Sequence, residues 1–170
     1  MSKLAIAAIA VAALFAGPVV AAPLGPDAAA CAAGAGQPAV LVRVEGFKTR
    51  TGALRVQVYG SNPQDFLAKG RKLRRIDLDV ARAGPMEVCV ALPAPGRYAV
   101  AVRHDIDGSG KSGWNDGGGF SRNPRLSLMS LKPRYEDVVI PVGPGVKPVE
   151  VMLNYRNGLS IGPVSGRAGI

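Results

Sequence analysis

Apolar and polar residues alternate with a period of two along most of the chain from Pro38 onward. This period is typical of half-buried β-strands, whose side chains point alternately to the two faces of a sheet. One helical turn is predicted in the stretch 61–70, with Ser61 or Asn62 as its cap and Pro63 just inside. The alternation predicts seven short strands, close to residues 40–45, 54–59, 75–80, 86–92, 97–104, 137–142 and 147–155.

These strands predict an all-β fold. The turn signals between them recur at short intervals, the chain contains no repeat, and its length suits one hydrophobic core. We therefore expect a single antiparallel β-sandwich of about seven strands over residues 38–156, with one long Gly/Asp-rich loop. The first two strands, joined by the turn KTRTG, are expected to form a hairpin.

The two ends of the chain differ in composition from this middle part. Residues 1–22 combine Lys3, an apolar run and small residues near Ala22, which is the pattern of a cleaved signal peptide rather than of a membrane anchor. Residues 23–37 are rich in Ala, Gly and Pro and are expected to form a flexible leader, held down only if Cys31 bonds to Cys89. Residues 157–170 are expected to form a flexible tail.

Cysteine content and charge bear on location and partners. An exported protein with only Cys31 and Cys89 is expected to carry one disulfide, and Cys89 lies on the strand face opposite the larger apolar residues. The formal net charge of +9 favours solubility, or an anionic component of the cell envelope as partner. Nucleic acid is not expected as a partner in the periplasm or outside the cell.

The loop HDIDGSGKSGWNDGGGF, residues 104–120, contains most of the candidate chemistry. A window starting at Asp105 has oxygen donors at the positions used by calcium-binding EF-hand loops, although strands flank it and the last ligand is Asp instead of Glu. The alternative is that Asp and Gly only form turns, since Asp caps backbone N–H groups and Gly adopts positive φ. The calcium hypothesis names Asp105, Asp107, Ser109, the Lys111 carbonyl and Asp116.

A catalytic interpretation of the loop is weaker. His104 and Asp105 are neighbours on a strand and therefore point to opposite faces, so they do not form a pair. A hydrolase would need His104 together with the loop carboxylates at a spacing that the sequence does not indicate. Trp114 and Phe120 are expected to anchor the loop to the core.

The block PGRYAVAVRHDIDGSGK followed by GGFSRNP resembles bacterial exported proteins of domain of unknown function family 2141. The resemblance covers residues 40–155 and implies an immunoglobulin-like or transthyretin-like sandwich without an assigned activity. This chain has Ser112 and Gly113 where the family commonly has a further Asp. The matching positions are Pro95, Gly96, Tyr98, Ala99, His104, Asp105, Asp107, Ser109, Gly110, Gly119, Phe120, Ser121 and Asn123.

These observations favour an exported, non-enzymatic binding or structural module of the bacterial cell envelope, periplasmic or secreted, whose functional surface is the loop 104–124. The first alternative is a calcium-binding loop module. The second is a hydrolase of envelope glycan that uses His104 and the loop carboxylates. No cofactor other than calcium is expected.

Overall fold

The computed structural model describes residues 22–164, which form an almost entirely β structure. The predicted signal peptide lies outside the described residues apart from Ala22, as do the last six residues of the predicted tail. Short 3₁₀ turns occur at Ala28–Cys31 and Pro63–Asp65, and one helical turn, α1, at Tyr135–Val138. The strands are β1 (Ala39–Glu45), β2 (Ala53–Tyr59), β3 (Arg74–Asp79), β4 (Met86–Ala91), β5 (Gly96–Asp105), β6 (Gly117–Phe120), β7 (Val139–Val142), β8 (Val146–Met152), β9 (Asn154–Asn157) and β10 (Ser160–Pro163).

The strands form two sheets. The three-stranded sheet has the order β4-β1-β8, and the larger sheet has the order β10-β9-β6-β5-β2-β3, with β7 paired to β5. Inward-facing residues of both sheets share one buried cluster, in which Val42 and Val88 of the smaller sheet meet Val56 and Val102 of the larger one. The predicted all-β, sandwich-like fold is confirmed.

Two details of the predicted topology are wrong. β1 and β2 do not form a hairpin, because β1 pairs with β4 and β8 whereas β2 pairs with β3 and β5. The connection 46–52 is long enough to carry the chain across the core from one sheet to the other. The β1–β8 pair is also parallel, so the sandwich is not purely antiparallel. Apolar and polar residues alternate in the same way in parallel and antiparallel strands, so the sequence pattern does not distinguish the two pairings.

Residues 22–164 contain ten strands instead of the predicted seven or so. The predicted last strand is divided at Leu153 into β8 and β9, and β6 and β10 were not predicted. β6 escaped prediction because its sequence is GGGF. A Cβ on Gly117 would overlap the Tyr155 ring, and one on Gly119 would lie 2.7 Å from the Met152 carbonyl oxygen. Close packing thus requires glycine in a strand whose sequence is typical of a loop.

The predicted helical turn is confirmed, since the Asn62 side chain accepts a hydrogen bond from the Gln64 N–H and Pro63 occupies the first position. At the C-terminal end, β10 pairs with β9 inside the range expected to be a flexible tail. Among residues 22–164, no helix has the length and apolar character needed to cross a membrane.

A disulfide joins Cys31 to Cys89 of β4, as predicted. It lies on the outer face of the smaller sheet, in a separate small cluster with Ala30 and Ala39. The segment before β1 was predicted to be held down only by the disulfide, but hydrogen bonds also attach it to β4. Leu24 exchanges backbone hydrogen bonds with β4, and the Asp27 carboxylate accepts the N–H of Ala91 at 3.0 Å.

Candidate functional site

Three carboxylates come together in the loop that follows β5. Asp105 is the last residue of β5, and Asp107 and Asp116 belong to the loop that leads to β6. One oxygen from each carboxylate lies within 4.8 Å of the others. Two oxygens that each lie about 2.4 Å from one calcium ion are separated by at most about 4.8 Å, so the cluster has a size that a single cation can bridge.

The same carboxylates also shape the loop through hydrogen bonds to its backbone. The Ser109 N–H donates to Asp105 at 3.1 Å and to Asp107 at 3.0 Å, and the Gly110 N–H donates to Asp105 at 2.8 Å. Asp116 accepts the N–H groups of Ile106 and Gly113, which closes the loop between its two ends. The turn-forming role of these residues is therefore present in the structure, and it leaves lone pairs on the carboxylate oxygens.

The other two predicted ligands lie beside this cluster. The Ser109 hydroxyl donates to the Lys111 carbonyl at 3.3 Å. Hydrogen bonds from the side chain and the backbone of Ser109 lower the pKa of Asp107 below its usual value. Asp107 is thus kept anionic, which suits both a turn and a cation ligand.

Arg103 connects the carboxylate cluster to the outer face of the larger sheet. Its guanidinium donates to Asp105 at 3.1 Å and to the Ser112 hydroxyl at 3.2 Å. Asp105 is only 3% exposed, so its charge is compensated mainly by Arg103 and by backbone N–H groups. The Nε of Arg103 is buried and has no hydrogen-bond partner in the described part of the chain.

His104 lies on the opposite, core-facing side of β5 and is completely buried. Its Nε2 lies 2.8 Å from the Thr51 carbonyl oxygen, which only accepts, so Nε2 carries the hydrogen and donates. Nδ1 is hydrogen-bonded to the Tyr155 hydroxyl at 2.6 Å. That hydroxyl in turn accepts the Lys48 N–H at 3.2 Å. Burial raises the pKa of Tyr155 to about 12.

This network bears on the hydrolase hypothesis. Both ring nitrogens of His104 are already bonded, and the side chain has no path to solvent. Among residues 22–164, no hydrogen bond joins His104 to a carboxylate. The structure thus brings Asp105, Asp107 and Asp116 together and places His104 apart from them, where it ties β5 to β9.

Two other polar residues of the family motif also have structural roles. The buried Ser121 hydroxyl accepts the Val100 N–H at 3.0 Å and donates to the Val138 carbonyl at 2.5 Å. The Asn123 side chain bonds the backbone of Glu150 and Met152, which connects the end of β6 to β8 of the other sheet. These hydrogen bonds fix residues 121–123, which directly follow β6.

The apolar and glycine positions of the motif serve packing and turns. The Tyr98 hydroxyl donates to the Ala94 carbonyl at 2.6 Å, which secures the turn before β5. Phe120 is buried, as expected, but in a separate cluster with Ala99 on the outer face of the larger sheet instead of in the main core. Gly110 has φ +75°, which favours glycine within the loop.

A groove lies beside the carboxylate cluster, on the outer face of the larger sheet. Its volume is about 520 Å³, and its walls come from the loop, from the segment 126–131 and from β9 and β10. Trp114 stands at the groove with 76% of its surface exposed, so the prediction that it anchors the loop to the core is wrong. The Arg156 guanidinium instead lies over the Trp114 ring, and its central carbon is 3.9 Å from the ring centroid. Ile106 of the same loop packs against the core, whereas Trp114 contacts Arg156 of β9.

Sequence reasoning missed the rest of this groove. Arg103, Arg156 and Asn154 provide polar atoms, and Leu126, Leu128 and Leu131 provide apolar ones. The one local signal was the alternation of leucines in RLSLMSL, residues 125–131, which lie between β6 and α1. The other groove residues could not be predicted, because β9 and the loop are far apart in the sequence and meet only in the folded structure.

The fold and the site define a class: a small all-β, sandwich-like domain in which an acidic loop borders an open groove. The chain belongs to the DUF2141 family, described as uncharacterized proteins conserved in bacteria, which matches residues 42–150. This match confirms the family indicated by the loop motif. Comparisons with curated proteins and with solved structures find no match.

Proposed function

We propose that this protein is an exported, non-enzymatic binding module of the bacterial cell envelope, whose binding surface is the groove bordered by the loop 104–124. The observation that carries the proposal is the groove itself, with an exposed Trp114 and two guanidinium groups at its edge. Tryptophan and arginine are enriched among the few residues that contribute most of the binding energy at protein interfaces. The Cys31–Cys89 disulfide supports an oxidising compartment.

The test of this proposal is co-sedimentation with washed bacterial envelopes that contain membranes and peptidoglycan. We expect the wild-type chain to sediment with them and the double substitution Trp114→Ala/Arg156→Ala to weaken binding by about ten-fold or more, because both groove anchors are removed. Arg74→Ala is the matched control, since Arg74 is exposed on β3 at the opposite edge of the larger sheet. Equal sedimentation of wild type and double variant would contradict a role for the groove.

A second candidate function, calcium binding by the loop, is favoured by the convergence of Asp105, Asp107 and Asp116. In chelator-treated protein, calcium about 100-fold above its dissociation constant is expected to raise the melting temperature by roughly 5 to 10 °C. Asp107→Asn keeps an oxygen that can accept the Ser109 N–H but removes a charge, so it should abolish most of this shift. Asp79→Asn, an exposed change on β3, should leave the shift intact. An unchanged midpoint of the wild type at millimolar calcium would exclude the site.

A further inference from the structure

Three strongly exposed apolar side chains belong to the two segments that form walls of the groove, and a fourth, Leu159, lies between β9 and β10. Met129 is fully exposed, Trp114 is 76% exposed and Leu131 is 52% exposed. Ser127 and Ser130 exchange backbone hydrogen bonds, so the two residues between them form the tip of a tight hairpin. Trp114 and Leu131 line the same groove, which places the loop and this hairpin on one side of the molecule. We call Trp114, Met129 and Leu131 the apolar rim.

Positive charges accompany the apolar rim. Arg125 and Lys132 flank the hairpin in the chain and are exposed. Within residues 22–164, neither forms an ion pair, whereas Arg134 is neutralised by Asp137 at 3.0 Å. Residues 103–137, which contain the loop and the hairpin, hold together with Arg156 five acidic and seven basic residues, so their formal net charge is +2. The acidic ones are Asp105, Asp107, Asp116, Glu136 and Asp137, and the basic ones are Arg103, Lys111, Arg122, Arg125, Lys132, Arg134 and Arg156.

The shape of this surface indicates what covers it. A ligand enclosed in the groove would contact Leu131 and Trp114 but would leave Met129, at the tip, in water. A boundary between an apolar layer and charged headgroups offers an apolar medium to exposed side chains inside and outside the groove, and it presents anions to exposed cations such as Arg125 and Lys132. Tryptophan prefers such interfaces, and apolar side chains beside basic ones are typical of surfaces that lie on membranes.

We infer that the apolar rim, with Arg125 and Lys132, docks on a lipid bilayer that carries anionic headgroups. This inference rests on the proposed binding function and names its partner. Met129, Leu131 and Trp114 insert among the headgroups, and the two cations contact lipid phosphates. Each cation near an anionic surface is expected to strengthen binding by about five-fold.

Trp114 is the only tryptophan, so its fluorescence reports this surface alone. The full chain is mixed with vesicles of phosphatidylglycerol and phosphatidylethanolamine, and separately with phosphatidylcholine vesicles. We expect a blue shift of the emission with the anionic vesicles, smaller at high salt, and little change with the neutral ones. Attachment through another part of the chain, such as the apolar N-terminal run, leaves Trp114 in water and its emission unchanged.

Substitutions localise the contact. Met129→Ser/Leu131→Ser should weaken partitioning to anionic vesicles by about ten-fold or more, because two apolar side chains no longer leave water. Arg125→Gln and Lys132→Gln should each weaken it by about five-fold. Leu73→Ser changes a 44% exposed leucine next to β3 and serves as the matched control, with no effect expected. Equal partitioning of the Met129/Leu131 variant and wild type would overturn the inference.

A dissolved, monomeric short-chain phosphatidylglycerol separates a bilayer from a single bound lipid. If it produces the same shift as vesicles, the groove binds one anionic amphiphile, and docking on a bilayer is overturned while the proposed binding function stands. If vesicles produce no shift although Trp114 and Arg156 are needed for envelope binding, the lipid inference fails alone. If envelope binding is also absent, the proposed function fails with it.

Discussion

Replacing Gly52 with alanine is expected to lower the free energy of unfolding by about 4 kcal/mol or more, a loss at the upper end of single substitutions. Gly52 precedes β2 and packs against the end of β5. A Cβ at this position would overlap the Asp105 carbonyl oxygen and would lie 2.6 Å from that of Ile106. Both contacts are with backbone, which cannot rotate away, and φ is +77°. Chemical denaturation followed by circular dichroism measures the change.

Gly84→Ala is the matched control for this prediction. Gly84 also has positive φ, +73°, but no atom of the described chain, residues 22–164, lies within 4 Å of the place that a Cβ would take. Its substitution should cost only the left-handed backbone penalty of about 1 to 2 kcal/mol. The difference between the two variants isolates the steric contact with Asp105. An equal loss of unfolding free energy in both variants would contradict the prediction. It would mean that the end of β5 moves away from residue 52 at little cost, so that this contact does not hold the loop.

The Gly52 contact also bears on the candidate site. Asp105 provides a carboxylate to the cluster, while its own carbonyl lies against Gly52. A side chain at residue 52 would therefore displace the start of the loop. On the proposed calcium site, a Gly52→Ala variant that still folds should show a smaller calcium-induced shift of the melting temperature than wild type, and Gly84→Ala should respond like wild type.

The local elements of the fold were predictable because alternation depends on neighbouring residues. β1, β2, β3, β4 and β5 all lie where apolar residues recur every second position. The sheet to which each strand belongs was not predictable. That choice depends on the path of connections such as 46–52, and both sheets bury the same kinds of side chain in one core.

The candidate site was likewise predictable only where its residues are close together in the sequence. The convergence of Asp105, Asp107 and Asp116 follows a spacing that is visible in the chain, because one short loop supplies all three carboxylates. The groove brings Trp114 next to Arg156, which lies beyond three intervening strands. Only part of the role of His104 could be predicted from the sequence. Its place on the core face follows from alternation, but its partner Tyr155 belongs to a distant strand.

Removing the disulfide by Cys31→Ala/Cys89→Ala is expected to lower the free energy of unfolding by about 4 kcal/mol. The bridge joins residues separated by 58 positions, so it restricts a long stretch of the unfolded chain. Alanine is chosen because Cys89 is fully buried and a serine hydroxyl there would need a partner. Wild-type protein in reductant is the matched control and should be destabilised to a similar extent.

The denaturant dependence distinguishes the two ways in which the bridge can act. If it mainly restricts the unfolded chain, the variant exposes more surface on unfolding and its m-value rises. If the bridge acts instead through packing around Ala30 and Ala39, the m-value stays the same. The segment before β1 keeps its hydrogen bonds from Leu24 and Asp27 in either case, so its exchange of amide hydrogens should quicken without reaching the unfolded rate. Two free thiols in the oxidised protein, found by mass spectrometry, would contradict the bridge itself.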